Sequence, residues 1–304
     1  MSPEFDFIRW LMARTPRTPT VLVGPGDDCA VLAPARSRVL ITTDILTEGT
    51  DFTRDRASPR EIGRKAMAVN LSDIAAMGGR ATAAVVGLVI PQTGMSGEEV
   101  RELYLGLEEV AGEFQVLIVG GDTNSWDGAL VVSVTVLGET GDRGPLLRSG
   151  AKVGDGIFVT GPCGGSILGR HLNPRPRLQE IAHLAAVASI TSCIDISDGL
   201  SADLQHILDA SGCGAILDAD AIPIHPDAVR LSQQTGKTPL HHALSDGEDF
   251  ELLFTASIAE AAKLLGDPHA IRIGTIVETG LWLRDSNGVS PLEAKGWVHT
   301  FAAP

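Results

Sequence analysis

Residues 58–79 read SPREIGRKAMAVNLSDIAAMGG, and this stretch predicts a long helix with defined ends. Ser58 followed by Pro59 is typical of an N-cap with proline at the first helical position, and Gly78-Gly79 ends the helix. Inside it, Asp73 stands among apolar residues. A lone Asp in such a setting is usually a solvated surface residue, so Asp73 is either that or part of a functional site.

Strands flank this helix on both sides. The β-branched residues 38–43 predict a strand ending at Asp44, and residues 81–90, 116–119 and 130–138 predict further strands. A helix is expected over 96–113, and the Gly-, Asp- and Thr-rich segment 139–144 separates this half from a second mixture of strands and helices. Without a strict β-α-β rhythm, the pattern favours an α+β fold with two domains, 1–140 and 141–304.

Composition and charge narrow the classes of function. The chain has 304 residues, 44% of them hydrophobic, which rules out wholesale disorder. A net charge of −14 repels nucleic acid and anionic membranes, so neither is expected as a partner. The excess acid serves either solubility or the binding of divalent cations. No apolar run suits a membrane helix and the acidic start lacks a signal-peptide order, so we expect a cytoplasmic protein.

Several common site types are absent from the sequence. The four cysteines are widely separated, which argues against a zinc ribbon or a redox pair. The Walker loop lacks its first glycine, because Leu231 stands there before Gly236-Lys237-Thr238. The start Gly24-Pro25-Gly26 lacks the third glycine of a dinucleotide fingerprint, where Cys29 stands instead. Any nucleotide is therefore bound by another route.

Six acidic segments beside small residues carry the functional signal. They contain Asp27-Asp28, Asp44, Asp73, Asp122, Asp195 with Asp198, and Glu248-Asp249. Each alone has an ordinary explanation: a turn, a solvated charge, or a helix N-cap for Leu200 onward. Together, carboxylates placed at the ends of several elements suit a site where Mg²⁺ ions bind phosphates. Carboxylates that face one another across such a site repel each other, so the Mg²⁺ ions would be needed to neutralise them.

The same segments resemble the thiamine-monophosphate kinase family of the aminoimidazole ribonucleotide synthetase superfamily. The matching stretches are 26–32, 42–46, 65–78, 120–123, 148–155, 195–200 and 247–252, in the family's order and over nearly the whole chain. The helix motif of 65–78 and the segment Asp195-Ile196-Ser197-Asp198-Gly199-Leu200 are specific; a single Gly-Asp pair is weak.

The resemblance implies a fold, a reaction and a set of residues. An N-terminal sheet would pair across a homodimer into a barrel, a C-terminal α+β domain would follow, and the γ-phosphoryl group of ATP would pass directly to thiamine phosphate. Magnesium ligands are implied at Asp28, Thr42, Thr43, Asp44, Asp73, Asp122, Asp195 and Asp198. ATP contacts are implied at Tyr104, Gly121, Asp122, Arg148 and Ser197, and substrate contacts at Asp51, Glu248 and Trp297. Tyr104 is equally well an ordinary residue of an amphipathic helix.

This chemistry is consistent with the residue types. Phosphoryl transfer between two anions depends mostly on positioning and charge neutralisation. The attacking phosphate oxygen is already ionised at neutral pH, so no general base is expected, and these motifs contain no His.

The chain departs from the family pattern on the acceptor side. Asp51 stands where the family has His near the substrate, and a carboxylate there would repel a phosphate unless something offsets it. The segment between Gly161 and Asp195 is short, and Val298 replaces an Asp. The metal and ATP residues are retained, whereas the acceptor pocket is altered.

Two alternatives therefore stay open beside the kinase. One is a kinase of this family acting on another phosphorylated acceptor, and the other is a non-catalytic ATP-binding paralogue. Other superfamily branches fit less well: the carbamoyl-thioester dehydrating branch needs a Cys near the C-terminus, and none follows Cys213. Selenophosphate synthetase needs a reactive N-terminal Cys with a partner Lys, and Cys29 has no Lys beside it.

Overall fold

The computed structural model describes residues 21–23, 27, 30–32, 38–141 and 143–298. These residues form two β-sheets, each with its own helices, so the expected two-domain α+β fold is confirmed. Within the described ranges, no helix is both long and apolar enough to cross a membrane.

In the described part of the N-terminal domain, six strands form a sheet with two helices on one face. The strands are β1 (Val21–Val23), β2 (Ala30–Leu32), β3 (Val39–Thr47), β4 (Gly79–Pro91), β5 (Leu117–Trp126) and β6 (Val131–Thr140). The helices are α1 (Pro59–Ala76) and α2 (Gly97–Glu113). The strand order is β1-β2-β3-β6-β4-β5, and only β4 and β5 run parallel. β5 is therefore an edge strand.

Helix α1 begins as the sequence predicts. The Ser58 hydroxyl accepts from the Glu61 N–H, and the Glu61 carboxylate accepts from the Ser58 N–H, which completes a capping box. The helix then lies between the two domains. Ala75 and Ala76 pack in one cluster with side chains of the C-terminal sheet, whereas Leu71 and Ile74 belong to the N-terminal core. Because of this double packing, most residues of α1 from Ile62 to Ala76 are buried.

Glycine sets the close approach of α1 to α2. A Cβ at Gly63 would lie 1.9 Å from the Leu103 carbonyl oxygen, and one at Gly106 would lie 2.0 Å from the Arg60 carbonyl oxygen. Such distances are impossible, so the two helix backbones touch because both positions lack a side chain.

The C-terminal sheet has seven strands. They are β7 (Gly156–Val159), β8 (Ile190–Asp195), β9 (Gly214–Asp218), β10 (Leu252–Ala256), β11 (Ile271–Val277), β12 (Leu281–Asp285) and β13 (Gly288–Pro291). The helices are α3 (Leu178–Val187), α4 (Leu200–Ser211), α5 (Pro226–Thr235), α6 (Pro239–Ser245) and α7 (Ile258–Ala261). The strand order is β13-β12-β9-β11-β7-β10-β8, and only β12 and β9 run parallel.

Two acidic residues lie inside strands rather than at their ends. β3 continues past Asp44 to Thr47, and β5 continues past Asp122 to Trp126. The expectation that both strands stop at these residues is wrong, because Ile45 and Leu46 keep pairing with β6 and Thr123 onward keeps pairing with β4. A polar residue does not end a strand whose neighbours satisfy its backbone.

Candidate active site between the two domains

A cavity of about 530 Å³ lies between the domains and is lined by seven carboxylates. They are Asp44, Asp51 and Asp73 from the N-terminal domain and Asp195, Asp198, Asp246 and Glu248 from the C-terminal domain. Ser197 and Trp297 also line it, and no Lys, Arg or His is among its lining residues in the described part of the chain. The cavity is thus strongly acidic.

Helix α1 holds the N-terminal wall. The Asn70 side-chain oxygen accepts from the Asp44 N–H at 3.0 Å, which fixes β3 to the helix. The Thr42 hydroxyl donates to Asp73 Oδ2. Thr42 and Asp44 alternate onto the face of β3 that the helices cover, so their side chains point toward Asp73. Asp73 therefore lines the cavity and is held by Thr42, so it is not a solvated surface charge.

A hydrogen bond joins the two walls. The Ser72 hydroxyl donates to Asp195 Oδ2 at 2.6 Å, and Asp195 is only 3% exposed. Asp195 is the last residue of β8, where the strand opens toward the cavity. Ser72 of the helix motif thus holds the Asp195 carboxylate, and Asn70 holds the strand that carries Asp44.

The loop after β8 is shaped by a buried aspartate. Asp203 Oδ2 accepts from the N–H groups of Asp198 and Gly199, at 3.1 and 3.0 Å. Burial, followed by the nearby Asp198 and Asp195 carboxylates, raises the pKa of Asp203 well above its ordinary value. The N-cap of α4 is Gly199, without a side-chain cap. The interpretation of Asp195 or Asp198 as N-caps is wrong, since both face the cavity instead.

A second loop carries Glu248 in an unusual backbone conformation. Glu248 and Phe250 have φ values of 61° and 51°, in the left-handed region. The loop is fastened to the segment after β8, because the Glu248 N–H donates to the Ser197 carbonyl at 2.7 Å and the Phe250 N–H donates to the Ile196 carbonyl at 2.8 Å. The Trp297 N–H donates to the Asp198 carbonyl at 3.0 Å, which brings Trp297 to the same rim.

Asp249 points away from the cavity. It accepts from the Gly164 N–H and pairs with Arg170 at 2.8 Å. Burial raises its pKa to about 7, although Arg170 opposes that shift. Of the adjacent pair Glu248-Asp249, one residue thus belongs to the cavity wall and the other to the interior of the C-terminal domain.

The comparisons with known proteins fit this arrangement. Residues 26–140 match the model of the AIR synthase related protein N-terminal domain, and residues 117–281 match that of its C-terminal domain. The thiamine-monophosphate kinase of Rhodopirellula baltica is 44% identical over 309 residues, covering 97% of both chains. The chain belongs to the thiamine-monophosphate kinase family.

Solved structures of the family have the same fold. The crystal structure of thiamine monophosphate kinase from Aquifex aeolicus aligns with a TM-score of 0.79 at 27% identity and covers 97% of both chains. A structure described as AaThiL complexed with AMPPCP and TMP aligns with a TM-score of 0.83 at 28% identity, covering 97% of this chain and 95% of that one. That homologue therefore holds an ATP analogue and TMP together.

The structure does not bring every residue implied by the family resemblance to this cavity. The described residues that do not line it are Thr42, Thr43, Tyr104, Gly121, Asp122 and Arg148, although Thr42 contacts Asp73 in its wall. Asp28 lies outside the described residues. Tyr104 is 37% exposed on α2, and the Arg148 N–H donates to Asp27 at 2.7 Å. Gly121 has a structural reason to be glycine, since a Cβ there would lie 2.0 Å from the Val86 carbonyl oxygen.

Sheet register explains the separation of Asp44 from Asp122. Ile45, Ser133, Gly87 and Asp122 lie opposite one another across β3, β6, β4 and β5, so their side chains share the face of the sheet that no helix covers. Asp44 lies in the next row, on the helix-covered face. Three strand spacings of about 4.8 Å put Asp122 roughly 14 Å from Ile45. Asp44 and Asp122 of the same chain therefore cannot contact each other.

The residues at the cavity fit magnesium. Asp44, Asp73, Asp195 and Asp198 offer hard oxygen donors from both domains, the donor type that Mg²⁺ prefers. Two of these carboxylates already accept a hydrogen bond from a hydroxyl group: Asp73 from Thr42, and Asp195 from Ser72.

Sequence reasoning missed the residues that support the carboxylates. Asn70, Ser72 and Lys65 stand in the motif recognised as family-specific, but nothing was assigned to them. Asp203 sits in the first turn of α4, where an acidic residue is ordinary. A polar side chain recurring within an otherwise apolar helix was the available signal for Asn70 and Ser72.

Proposed function

We propose that this chain transfers the γ-phosphoryl group of ATP to the phosphate of thiamine phosphate, giving thiamine diphosphate and ADP. The cavity carries the proposal, because aspartates from both domains converge there in a member of the thiamine-monophosphate kinase family. A site for two phosphorylated substrates needs charge neutralisation at its centre and room for both.

Magnesium ions are the proposed source of that neutralisation. Asp44, Asp73, Asp195 and Asp198, with Thr42, would hold them, and Asp28 remains a predicted ligand outside the described residues. Bound Mg²⁺ would offset the phosphate charges and polarise the transferred group. Ser197 is proposed as an ATP contact because it lines the cavity among these ligands. Arg148 and Tyr104 stay predictions.

The acceptor is proposed to lie against the C-terminal rim. Glu248, Trp297 and Phe250 line this part of the cavity, together with Ile167 and Leu231. A carboxylate beside an indole ring suits the cationic thiazolium group of thiamine. The chain's part in the transfer is to hold the ionised acceptor phosphate in line, because no proton has to be removed from it.

We further propose a homodimer in which two N-terminal sheets pair into a barrel. The open face and edge of this sheet expose Ile45, Leu117, Val119 and Trp126, with Ile45 and Val119 both 62% exposed. Exposed apolar side chains on an open sheet face and edge suit an interface. Thr43 and Asp122 lie on that same face, so a partner sheet would meet them. Light scattering that finds a monomer at micromolar concentration would refute the dimer.

The domain division at residues 140 and 141 and the cytoplasmic location also remain proposals.

The altered position 51 does not favour another acceptor. Asp51 Oδ2 accepts from the Thr47 N–H at 2.6 Å, so this carboxylate closes the turn after β3. The retained cavity aspartates likewise give no support to a non-catalytic paralogue.

A coupled assay tests the function. Purified protein is mixed with MgATP and thiamine phosphate, and thiamine diphosphate is measured beside ADP. Equal amounts of both products support the kinase. ADP without thiamine diphosphate indicates another phosphorylated acceptor, and neither product with MgATP bound indicates the non-catalytic paralogue. Asp198→Asn should abolish turnover, whereas Asp209→Asn, an exposed residue of α4, should not.

A further inference from the structure

Lys65 is a buried cation directly behind the acidic cavity. Its side chain on α1 is 0% exposed. Nζ donates to the Asp51 carbonyl oxygen at 2.6 Å and forms an ion pair with Glu248. Burying an ammonium group without partners is very costly, so these two contacts determine where the lysine can lie.

The two partners of Lys65 belong to different domains. Asp51 lies in the turn after β3, and Glu248 lies in the loop before β10. The Glu248 carboxylate is 31% exposed and lines the cavity, while the ammonium group that pairs with it is hidden. The ion pair thus fixes a cavity-facing carboxylate of the C-terminal domain against the backbone of the N-terminal domain.

The backbone of Glu248 makes this contact consequential. Its φ of 61° is unfavourable for a residue with a side chain, so the loop keeps this shape only if several contacts hold it. The Glu248 N–H provides one, through the Ser197 carbonyl. The side chain provides another, through Lys65.

We propose that Lys65 is a positioning residue for the acceptor: by holding the Glu248 carboxylate, it sets the affinity for thiamine phosphate but not for ATP. This inference rests on the proposed function. It assigns to Lys65 no contact with either substrate, because the residue is closed off from the cavity by Glu248 and the turn at Asp51.

The first test is kinetic. Lys65→Met keeps an unbranched apolar stem, shorter by one atom, and removes the charge. We expect KM for thiamine phosphate to rise about tenfold or more, while KM for ATP stays within about twofold. The affinity for thiamine phosphate, measured by calorimetry with a non-hydrolysable ATP analogue, should fall by the same factor. Equal changes in both KM values would overturn the proposal.

A double-mutant cycle separates positioning from a general structural role. If Lys65 acts through Glu248, Lys65→Met combined with Glu248→Gln should raise KM for thiamine phosphate no further than Glu248→Gln alone. Multiplying effects would overturn the proposal. Should Lys65→Met fail to fold, Lys65→Gln keeps a donor for the Asp51 carbonyl without the charge and faces the same criteria.

The control is a partly buried cation, 22% exposed, that pairs with a buried carboxylate. Arg177 pairs with Glu251 inside the C-terminal domain, and neither residue lines the cavity. Arg177→Met should lower thermal stability without changing KM for thiamine phosphate. A matching rise in that KM would show that losing an ion pair elsewhere in the C-terminal domain has the same effect, and would contradict the role proposed for Lys65. The wild-type protein is assayed first. If it makes no thiamine diphosphate, the proposed function fails; if it does and Lys65→Met keeps its KM, only this inference fails.

Discussion

Ser72 and Asp195 meet across the two domains, with the serine hydroxyl 2.6 Å from the carboxylate oxygen. Ser72 is completely buried and Asp195 nearly so. The contact joins the C-terminal part of α1 to the last residue of β8, so the N-terminal helix and the C-terminal strand present their cavity residues in one fixed relation. The site depends on this register between domains as much as on the aspartates themselves.

Replacing Ser72 by Ala should cost about 1–3 kcal/mol in the free energy of unfolding, because a buried carboxylate oxygen loses its donor. Urea unfolding at neutral pH without added metal measures this. Ser232→Ala is the control, since its hydroxyl bonds only to the Val229 carbonyl within an exposed helix. Equal midpoints for Ser72→Ala and Ser232→Ala would show that the contact contributes nothing.

Gly63→Ala should be strongly destabilising. Its Cβ would overlap the Leu103 carbonyl, and the two helices must separate to admit it, at a cost of about 3 kcal/mol or more. Gly112→Ala is the matched control, because a Cβ at that position of α2 meets nothing within 4 Å. The control should be neutral or slightly stabilising, since alanine favours helix over glycine. Thermal unfolding compares them, and a Gly63→Ala variant as stable as wild type would refute the helix contact.

Asp249 makes the stability depend on pH. Its folded pKa of about 7 lies above the ordinary 3.8, so the folded state binds this proton more tightly than the unfolded state does. Its contribution is complete below the ordinary pKa and is lost as pH rises through about 7. Asp249→Asn removes this loss. The difference in unfolding free energy between the variant and the wild type should therefore shift in favour of the variant as pH rises from about 4 to about 7, and stay constant above that. Urea titrations over the window test this. The exposed Asp220→Asn should track wild type, and a pH-independent difference for Asp249→Asn would contradict the assignment.

Restoring the family's histidine at position 51 should not improve the enzyme. Asp51→His removes the acceptor of the Thr47 N–H, which should cost about 1 kcal/mol and loosen the turn that also contacts Lys65. We expect unchanged or lower kcat/KM for thiamine phosphate. Asp51→Asn keeps a side-chain oxygen for Thr47 and should stay near wild-type stability. A clear gain in kcat/KM with His would mean that the acceptor contact matters more than the turn.

The sequence predicted α1 well and its surroundings poorly. Its start is encoded locally, by Ser58, Pro59 and Glu61, and local signals can be read from one chain. Which strand faces Asp73 depends on how β3 packs against the helix, and no local signal records that. The pairing of Ser72 with Asp195 spans 123 positions and is equally invisible.

The misplacement of Asp122 has a different cause. Its spacing from Gly120-Gly121 resembles that of a strand-end ligand, but β5 continues through it because β4 offers a partner along its whole length. Motif spacing predicts Asp122 as part of the ligand set, and sheet register puts it on the opposite face from Asp44. Lys65 went unassigned because a basic residue in a helix is most simply explained by its long stem reaching solvent.

Because α1 supplies the packing surface for both sheets, the order of synthesis matters. Ala75 and Ala76 leave the ribosome well before Phe158 and Phe254, the aromatic side chains in the cluster that buries them. Until those residues arrive, the nascent N-terminal half carries an apolar helix face with nothing over it. A chain cut near residue 140 would keep that exposed face permanently, and the complementary fragment would lack the helix that completes its own core. The halves look like modules along the sequence, yet neither is expected to be soluble and complete alone.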